Sequence, residues 1–195
     1  MFYEPKDVHA NFQIDPFKAL VAPRPIGWIS TLSVDGIVNL APYSFFNAIG
    51  ENPPTVFFSS GGEKDSARNA AATGEFVCSL ATYDLREQMN VTSASVASDV
   101  DEMVLAKLTP APSRLVKPPR VAESPVALEC RYLQTVQLPG TYRLVIGEVV
   151  GVYVDDRFIE GGRVNTAALR PIARLGYSEY AVVTPETTFR LKRPG

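Results

Sequence analysis

The residues of this 195-residue chain with the most chemistry per position lie between Ser59 and Gly74, Ser-Ser-Gly-Gly-Glu-Lys-Asp-Ser-Ala-Arg-Asn-Ala-Ala-Ala-Thr-Gly. The apolar run Val56-Phe57-Phe58 reads as a buried strand that leads into the Gly61-Gly62 turn. An Ala-rich helix follows, with Asp65 placed to be its N-cap and Gly74 to stop it. The first turn of a helix leaves backbone N–H groups unpartnered and carries partial positive charge, so it accepts an anion. Hydroxyls at Ser59, Ser60 and Ser66 and the Lys64 ammonium would surround such an anion, and a phosphate fits. The same residues equally suit a strand, a loop and a capped helix that hold no ligand. The spacing matches neither a nucleotide P-loop, which needs Gly-Lys-Ser/Thr after the second glycine, nor a G-x-G-x-x-G fingerprint.

Other chemistries have less to work with. Cys78 and Cys130 sit in strand-like alternation far apart in sequence, as buried reduced thiols do, and cannot supply a four-ligand zinc site. One histidine, His9, leaves little for a catalytic triad or a His-rich metal site. A formal net charge of -2 without Lys/Arg clusters argues against nucleic acid as a partner. No apolar run approaches the roughly 20 residues of a spanning helix, and the N-terminus lacks the pattern of a signal peptide. The chain therefore reads as cytoplasmic, without a membrane partner. With 46% hydrophobic residues it can bury a core, so residues 1–195 are expected to form one domain, with 1–22 as an N-terminal extension.

The elements that must position the Ser59–Gly74 stretch are mostly strands. A short helix is expected within Ile14–Leu20, and Pro23-Arg24-Pro25 then rules out helix interior. Ile26–Leu32, Ile37–Ala41, Tyr43–Gly50 and residues 55–60 read as extended segments, the first two joined by an Asp35-Gly36 hairpin. Asn39 is expected to hold that hairpin. After the helix, Glu75–Ala81 is a strand, and Asp84 and Asp101 are placed as N-caps of two short helices. A proline-dense connector (Pro110, Pro112, Pro118, Pro119, Pro125) is expected to lie over the sheet or over a partner subunit. Residues 126–137 alternate apolar and polar, whereas Tyr142–Val154 is apolar on both faces, as in a central strand. Gly147 and Gly151 mark bulges or close backbone approaches. A last strand is expected at 180–184.

Six pieces in order carry a resemblance: Pro-Arg-Pro-Ile-Gly-Trp-Ile-Ser-Thr (23–31), Asp-Gly-Ile-Val-Asn-Leu-Ala-Pro-Tyr-Ser-Phe-Phe-Asn (35–47), Pro-Pro-Thr-Val-Phe-Phe-Ser (53–59), Lys-Asp-Ser-Ala-Arg-Asn (64–69), Gly-Glu-Phe-Val (74–77) and Arg-Leu-Gly-Tyr (174–177). Together they resemble the flavin reductase-like family of FMN-binding split barrels, which includes flavoredoxin-type proteins. The resemblance implies a mainly β fold, a six-stranded antiparallel split β-barrel with a few peripheral helices, forming a homodimer with FMN at the barrel edge. It places Lys64, Asp65 (through its backbone) and Ser66 at the FMN phosphate, with Ser59 and Ser60 close by. Ser30, Thr31, Ser44, Phe46 and Asn47 would line the ring and ribityl chain, Arg174 and Tyr177 would close the site, and Trp28 is a further candidate. Duller roles compete: Trp28 and Phe46 also suit plain packing, and Arg174 also suits pairing with a carboxylate. The implied activity is hydride transfer from NADH or NADPH to FMN, with reduced flavin passing to a monooxygenase or other acceptor. An electron carrier is the alternative, and a related barrel holding pyridoxal phosphate or haem is a third class. One departure stands out: many reductases of this family carry a histidine late in the barrel, where this chain has Gly151-Val152-Tyr153-Val154.

Overall fold

The computed structural model describes residues 1–194. A short helix, α1 (Phe17–Leu20), precedes β1 (Arg24–Pro25), and the main strands are β2 (Gly27–Leu32), β3 (Val38–Tyr43), β4 (Phe46–Glu51), β5 (Pro54–Gly61), β6 (Glu75–Leu80), β7 (Val126–Gln137) and β8 (Tyr142–Val154). Between them lie α2 (Asp65–Thr73), α3 (Arg86–Val91) and α4 (Glu102–Leu105), and the chain ends with β9 (Ile172–Arg174) and β10 (Tyr180–Val182). All pairings are antiparallel, and the seven-stranded sheet has the order β3-β2-β6-β7-β8-β5-β4. The six strands implied by the resemblance are thus seven, because Phe46–Glu51 is long enough to make its own ladder with β5. The two edge strands, β3 and β4, are consecutive in the chain, with only Ser44-Phe45 between them, so the sheet curls back on itself. Those edges do not pair with each other, and the barrel stays open along that seam.

Burial explains the curl. On one face Ile29, Tyr43, Val56, Phe58, Phe76 and Val145 pack with Ala67 and Ala70 of α2. Alanines are what that position admits, since a helix pressed into a curled sheet leaves room for little beyond a methyl group. On the other face of β2, Trp28 packs with Leu40, Met89 and Met103 under α3 and α4. Full burial of Trp28, Phe58 and Phe76 contributes about 1.5–3 kcal/mol each. The two glycines of β8 sit at register shifts against β7. A Cβ at Gly147 would run into the Phe76 ring, so that glycine admits the aromatic core.

The caps divide. Asp101 accepts from the N–H groups of Met103 (2.8 Å) and Val104 (3.3 Å) as an N-cap should. Asp84 lies instead inside a 3₁₀ turn, Tyr83–Leu85, and pairs with Arg170 at 2.9 Å. The proline-dense connector lies over the sheet, tied by Glu129, which accepts from Arg114 N (2.9 Å) and Leu115 N (2.6 Å), and by Glu75, which accepts from Lys117 N (2.8 Å). Buried Arg24 clasps the termini to the barrel. Its guanidinium donates to the carbonyls of Lys18 and Val21 and, at 2.7 Å, to that of Leu175. Burial and the facing Arg174 charge push the Arg24 pKa down.

Candidate functional site

Helix α2 begins one residue earlier than its sequence suggests. Lys64 holds the N-cap position in extended conformation (φ -112°, ψ 154°) and offers no side-chain cap. Asp65 is the first helical residue, and its carboxylate pairs with Arg68 rather than capping. Lysine has no acceptor to bond the helix, so the N–H groups of Asp65, Ser66 and Ala67 are left without intrahelical partners. Gly74 ends the helix in the left-handed region (φ 78°), where a Cβ would be strained.

That open N-terminus faces a hollow of about 500 Å3 lined by Asn39, Ser44, Ser59, Lys64, Ser66 and Glu102, among others. Asn39 does not serve the hairpin. Its side-chain amide donates to Ser66 Oγ at 2.8 Å and fixes the helix start against β3. The acidic groups around the hollow are all committed. Glu63 pairs with Arg143 at 2.8 Å, which pulls its pKa down. Asp65 has Arg68, and Glu102 accepts from Leu40 N at 2.9 Å. Burial nevertheless holds the Glu102 carboxyl above its ordinary pKa, with Asp65 and Asp101 adding to the rise. Lys64 and Lys18, both on the rim, make no ion pair among the described residues. The charge left unspent at this corner is therefore positive. The buried hydroxyls of Tyr43, on the inner wall, and of Ser60 behind it also lack hydrogen-bond partners.

Two further hollows meet the first at Ser44 and Lys18. One, of about 780 Å3, is mainly apolar and includes Phe46, Asn47, Phe57, Ser59 and Leu144. Phe46 is half-buried, its ring lying over Gly27, where a Cβ would collide with it. Asn47 accepts from the N–H of Ala48 at 2.8 Å. The other hollow, of about 730 Å3, includes Arg24, Met89, Arg174 and Tyr177. Arg174 has no carboxylate partner among the described residues. It stacks over the Tyr180 ring, 4.5 Å from its centroid, and donates to the Tyr180 hydroxyl and the Tyr177 carbonyl. The second of these bonds holds Tyr177 at φ 52°, a conformation that a tyrosine rarely adopts.

Ser44, Phe46, Asn47, Ser59, Lys64, Asp65, Ser66, Arg174 and Tyr177 thus come together around one junction. Four other expected residues do not reach it. Trp28 is fully buried and donates Nε1–H to Thr92 Oγ1 at 2.9 Å, leaving no ring face open. Ser30 is fully buried and donates to the Pro119 carbonyl in the connector. Thr31 is buried against α2, where Asn69 donates to it at 3.3 Å. Ser60 points into the barrel interior with Val56 and Phe58 rather than into the hollow. Lys18, Asn39 and Glu102 were missed. Asn39 had a signal, since it lies four residues from Tyr43 and so shares its face of β3. Lys18 had none, because it reaches the junction only through the Arg24 clasp. Among the described residues no cluster of ligands suits a metal ion, and no helix is long and apolar enough to cross a membrane.

Residues 20–168 match the model of the flavin reductase like domain. An uncharacterised protein of Aquifex aeolicus is 38% identical over 167 residues, 83% of this chain and 85% of its own. Nitrilotriacetate monooxygenase component B from Bacillus cereus superposes with a TM-score of 0.90 at 32% identity, covering 98% of each chain. The 2-nitrobenzoate 2-nitroreductase NbaA of Pseudomonas fluorescens gives 0.84 at 28% identity, over 91% of this chain and 88% of that one.

Proposed function

The chain belongs to the flavin reductase-like family, and from that membership we propose that it binds FMN and accepts a hydride onto it from NADH or NADPH. The observation that carries the proposal is the corner at α2. Three unpartnered N–H groups and two uncommitted lysines face a hollow that runs, past Ser44, into space suited to a flat ring. Lys64, Ser66 and the N–H groups of Asp65 to Ala67 would hold the phosphate, with Lys18 on the opposite rim. Asn39 acts through Ser66, fixing its hydroxyl. Ser44 and Ser59 would meet the ribityl chain. Phe46 and Asn47 on one side of the seam, and Arg174 and Tyr177 on the other, would flank the ring.

Bound FMN supplies the hydride-accepting chemistry, and the chain supplies position and field. A reaction that moves a hydride between two rings requires no general base, which agrees with a junction that has neither a histidine nor a catalytic dyad. Arg174, a cation without an anionic partner among the described residues, would favour negative charge growing on the ring. The apolar hollow beside Phe57 and Leu144 would keep water from the ring face.

The remaining proposals follow from likeness. The similar Bacillus cereus protein is a monooxygenase component, so the acceptor of reduced flavin is proposed to be a monooxygenase or a comparable partner. A homodimer in the cytoplasm completes the picture. The visible spectrum of the purified protein, followed by anaerobic mixing with NADPH or NADH, tests it. A yellow protein that bleaches at roughly 1–1000 per second supports the reductase. A yellow protein that neither donor bleaches, and that a partner protein reduces, would be a carrier.

A further inference from the structure

A fourth hollow, about 510 Å3, lies beyond the flavin side of the junction and shares Met89, Asn90, Arg174 and Tyr180 with it. Its volume falls within the roughly 300–1,000 Å3 range of small-molecule sites. Buried Met89 and Ile172 make its floor, and Tyr83 and Tyr180 stand on its walls. A guanidinium marks each end. Arg174 lines both hollows at the passage between them, and Arg86 stands at the far side with its charge over the Tyr83 ring, 4.1 Å from the centroid. Among the described residues the only carboxylate lining it, Glu87, meets Arg86 loosely at 3.4 Å, with Glu87 largely and Arg86 partly in solvent, a contact worth little. Arg170 also lies over the Tyr83 ring and pairs with Asp84, so that carboxylate does not neutralise the hollow.

We propose that this hollow takes the adenosine half of the hydride donor, with the diphosphate at Arg174 and the 2′-phosphate of NADPH at Arg86. The inference rests on the reductase proposal, because the nicotinamide must lie at the junction for the remainder to extend here. An aromatic ring between two cations, over an apolar floor, is what the pattern of phosphate, adenosine and phosphate requires. NADH lacks the group that Arg86 would meet, so NADPH is the preferred donor.

The test uses the FMN-loaded protein with NADPH, NADH and reduced nicotinamide mononucleotide, which has no adenosine. Wild type is expected to show kcat/KM for NADPH about tenfold or more above both of the others, the size of one charged contact. In Arg86→Ala the preference over NADH collapses through KM, and filling the hollow with Ala181→Trp collapses the preference over both of the others in the same way. Independently of turnover, adenosine 2′,5′-bisphosphate binds wild type by calorimetry, and Arg86→Ala loses about tenfold of that affinity. If the mononucleotide serves as well as NADPH, or if Arg86→Ala keeps both the preference and the bisphosphate affinity, the adenosine site is wrong and the reductase stands. If none of the three donors bleaches the protein, both fall together.

Discussion

Substituting Lys64 by alanine separates a phosphate site from a well-capped surface helix. Lys64 makes no ion pair among the described residues and contributes no cap, so its removal takes nothing from the apo fold. The unfolding free energy of the apo-protein should therefore stay within about 0.5 kcal/mol of wild type. Its contact with a phosphate is a different matter. A hydrogen bond to a charged partner is worth about 1.5–3 kcal/mol, and screening at the exposed rim favours the lower end. At 1.4 kcal/mol per decade that is a rise of about tenfold in Kd for FMN. The loss stops there because the N–H groups at the start of α2 and Ser66 remain. Riboflavin carries the same ring without the phosphate, so its Kd should not move. Titrating both flavins into apo-protein by fluorescence quenching, at two salt concentrations, gives the comparison, and the FMN advantage should also shrink with salt in wild type. Equal losses for FMN and riboflavin, or no loss for either, would refute the phosphate corner.

Glu102 makes the fold sensitive to pH with a definite sign. Its carboxyl is held above the ordinary value of 4.5 chiefly by burial, so the stabilisation tied to its neutral form is complete below that value and fades as pH rises through the raised folded pKa. Glu102→Gln keeps an acceptor for Leu40 N–H, and in urea unfolding the variant should gain on wild type as pH rises; parallel stability profiles would contradict this. Gly147→Ala should cost about 1–3 kcal/mol, because the new methyl group meets the Phe76 ring and lies 3.0 Å from the Arg131 carbonyl. A thermal midpoint unchanged from wild type would show that the bulge yields freely.

Strands announced themselves wherever one pattern ran long enough. Alternation over Val126–Gln137 and the unbroken apolar run Tyr142–Val154 give β7 and β8 with the expected bounds. Each extended segment expected between residues 26 and 60 became a strand, so the residues held the number of strands more faithfully than the resemblance did. Faces were harder. In β2 the alternation says that Trp28 and Ser30 share one side and Ile29 and Thr31 the other. It does not say that helices and connector cover both, which removes Trp28, Ser30 and Thr31 from the junction. The helix start was legible as chemistry and misplaced by one residue, because aspartate is the better cap and Lys64 takes that position without capping. Lys18 depends on contacts from Arg24 to residue 21 and to residue 175, and no local pattern records them.

What makes a site of these parts is the seam. Unpaired strand edges usually invite aggregation, and a barrel normally removes them by closing. Here closure is blocked from inside. Tyr43 packs against Phe58, centroids 4.9 Å apart, so the end of β3 is drawn across β5 instead of alongside β4. The chain then crosses in two residues, and the Phe45 carbonyl takes the N–H of Ser59 at 2.7 Å, satisfying the backbone at the crossing without zipping the edges. The three hollows that meet at Ser44 exist because of that single crossing, and a sheet that closed there would erase all of them. The alanines of α2 belong to the same arrangement. They let the helix sit deep enough in the curl for its N-terminus to open onto the hollow, so the packing that splits the barrel also aims the anion-accepting end of the helix.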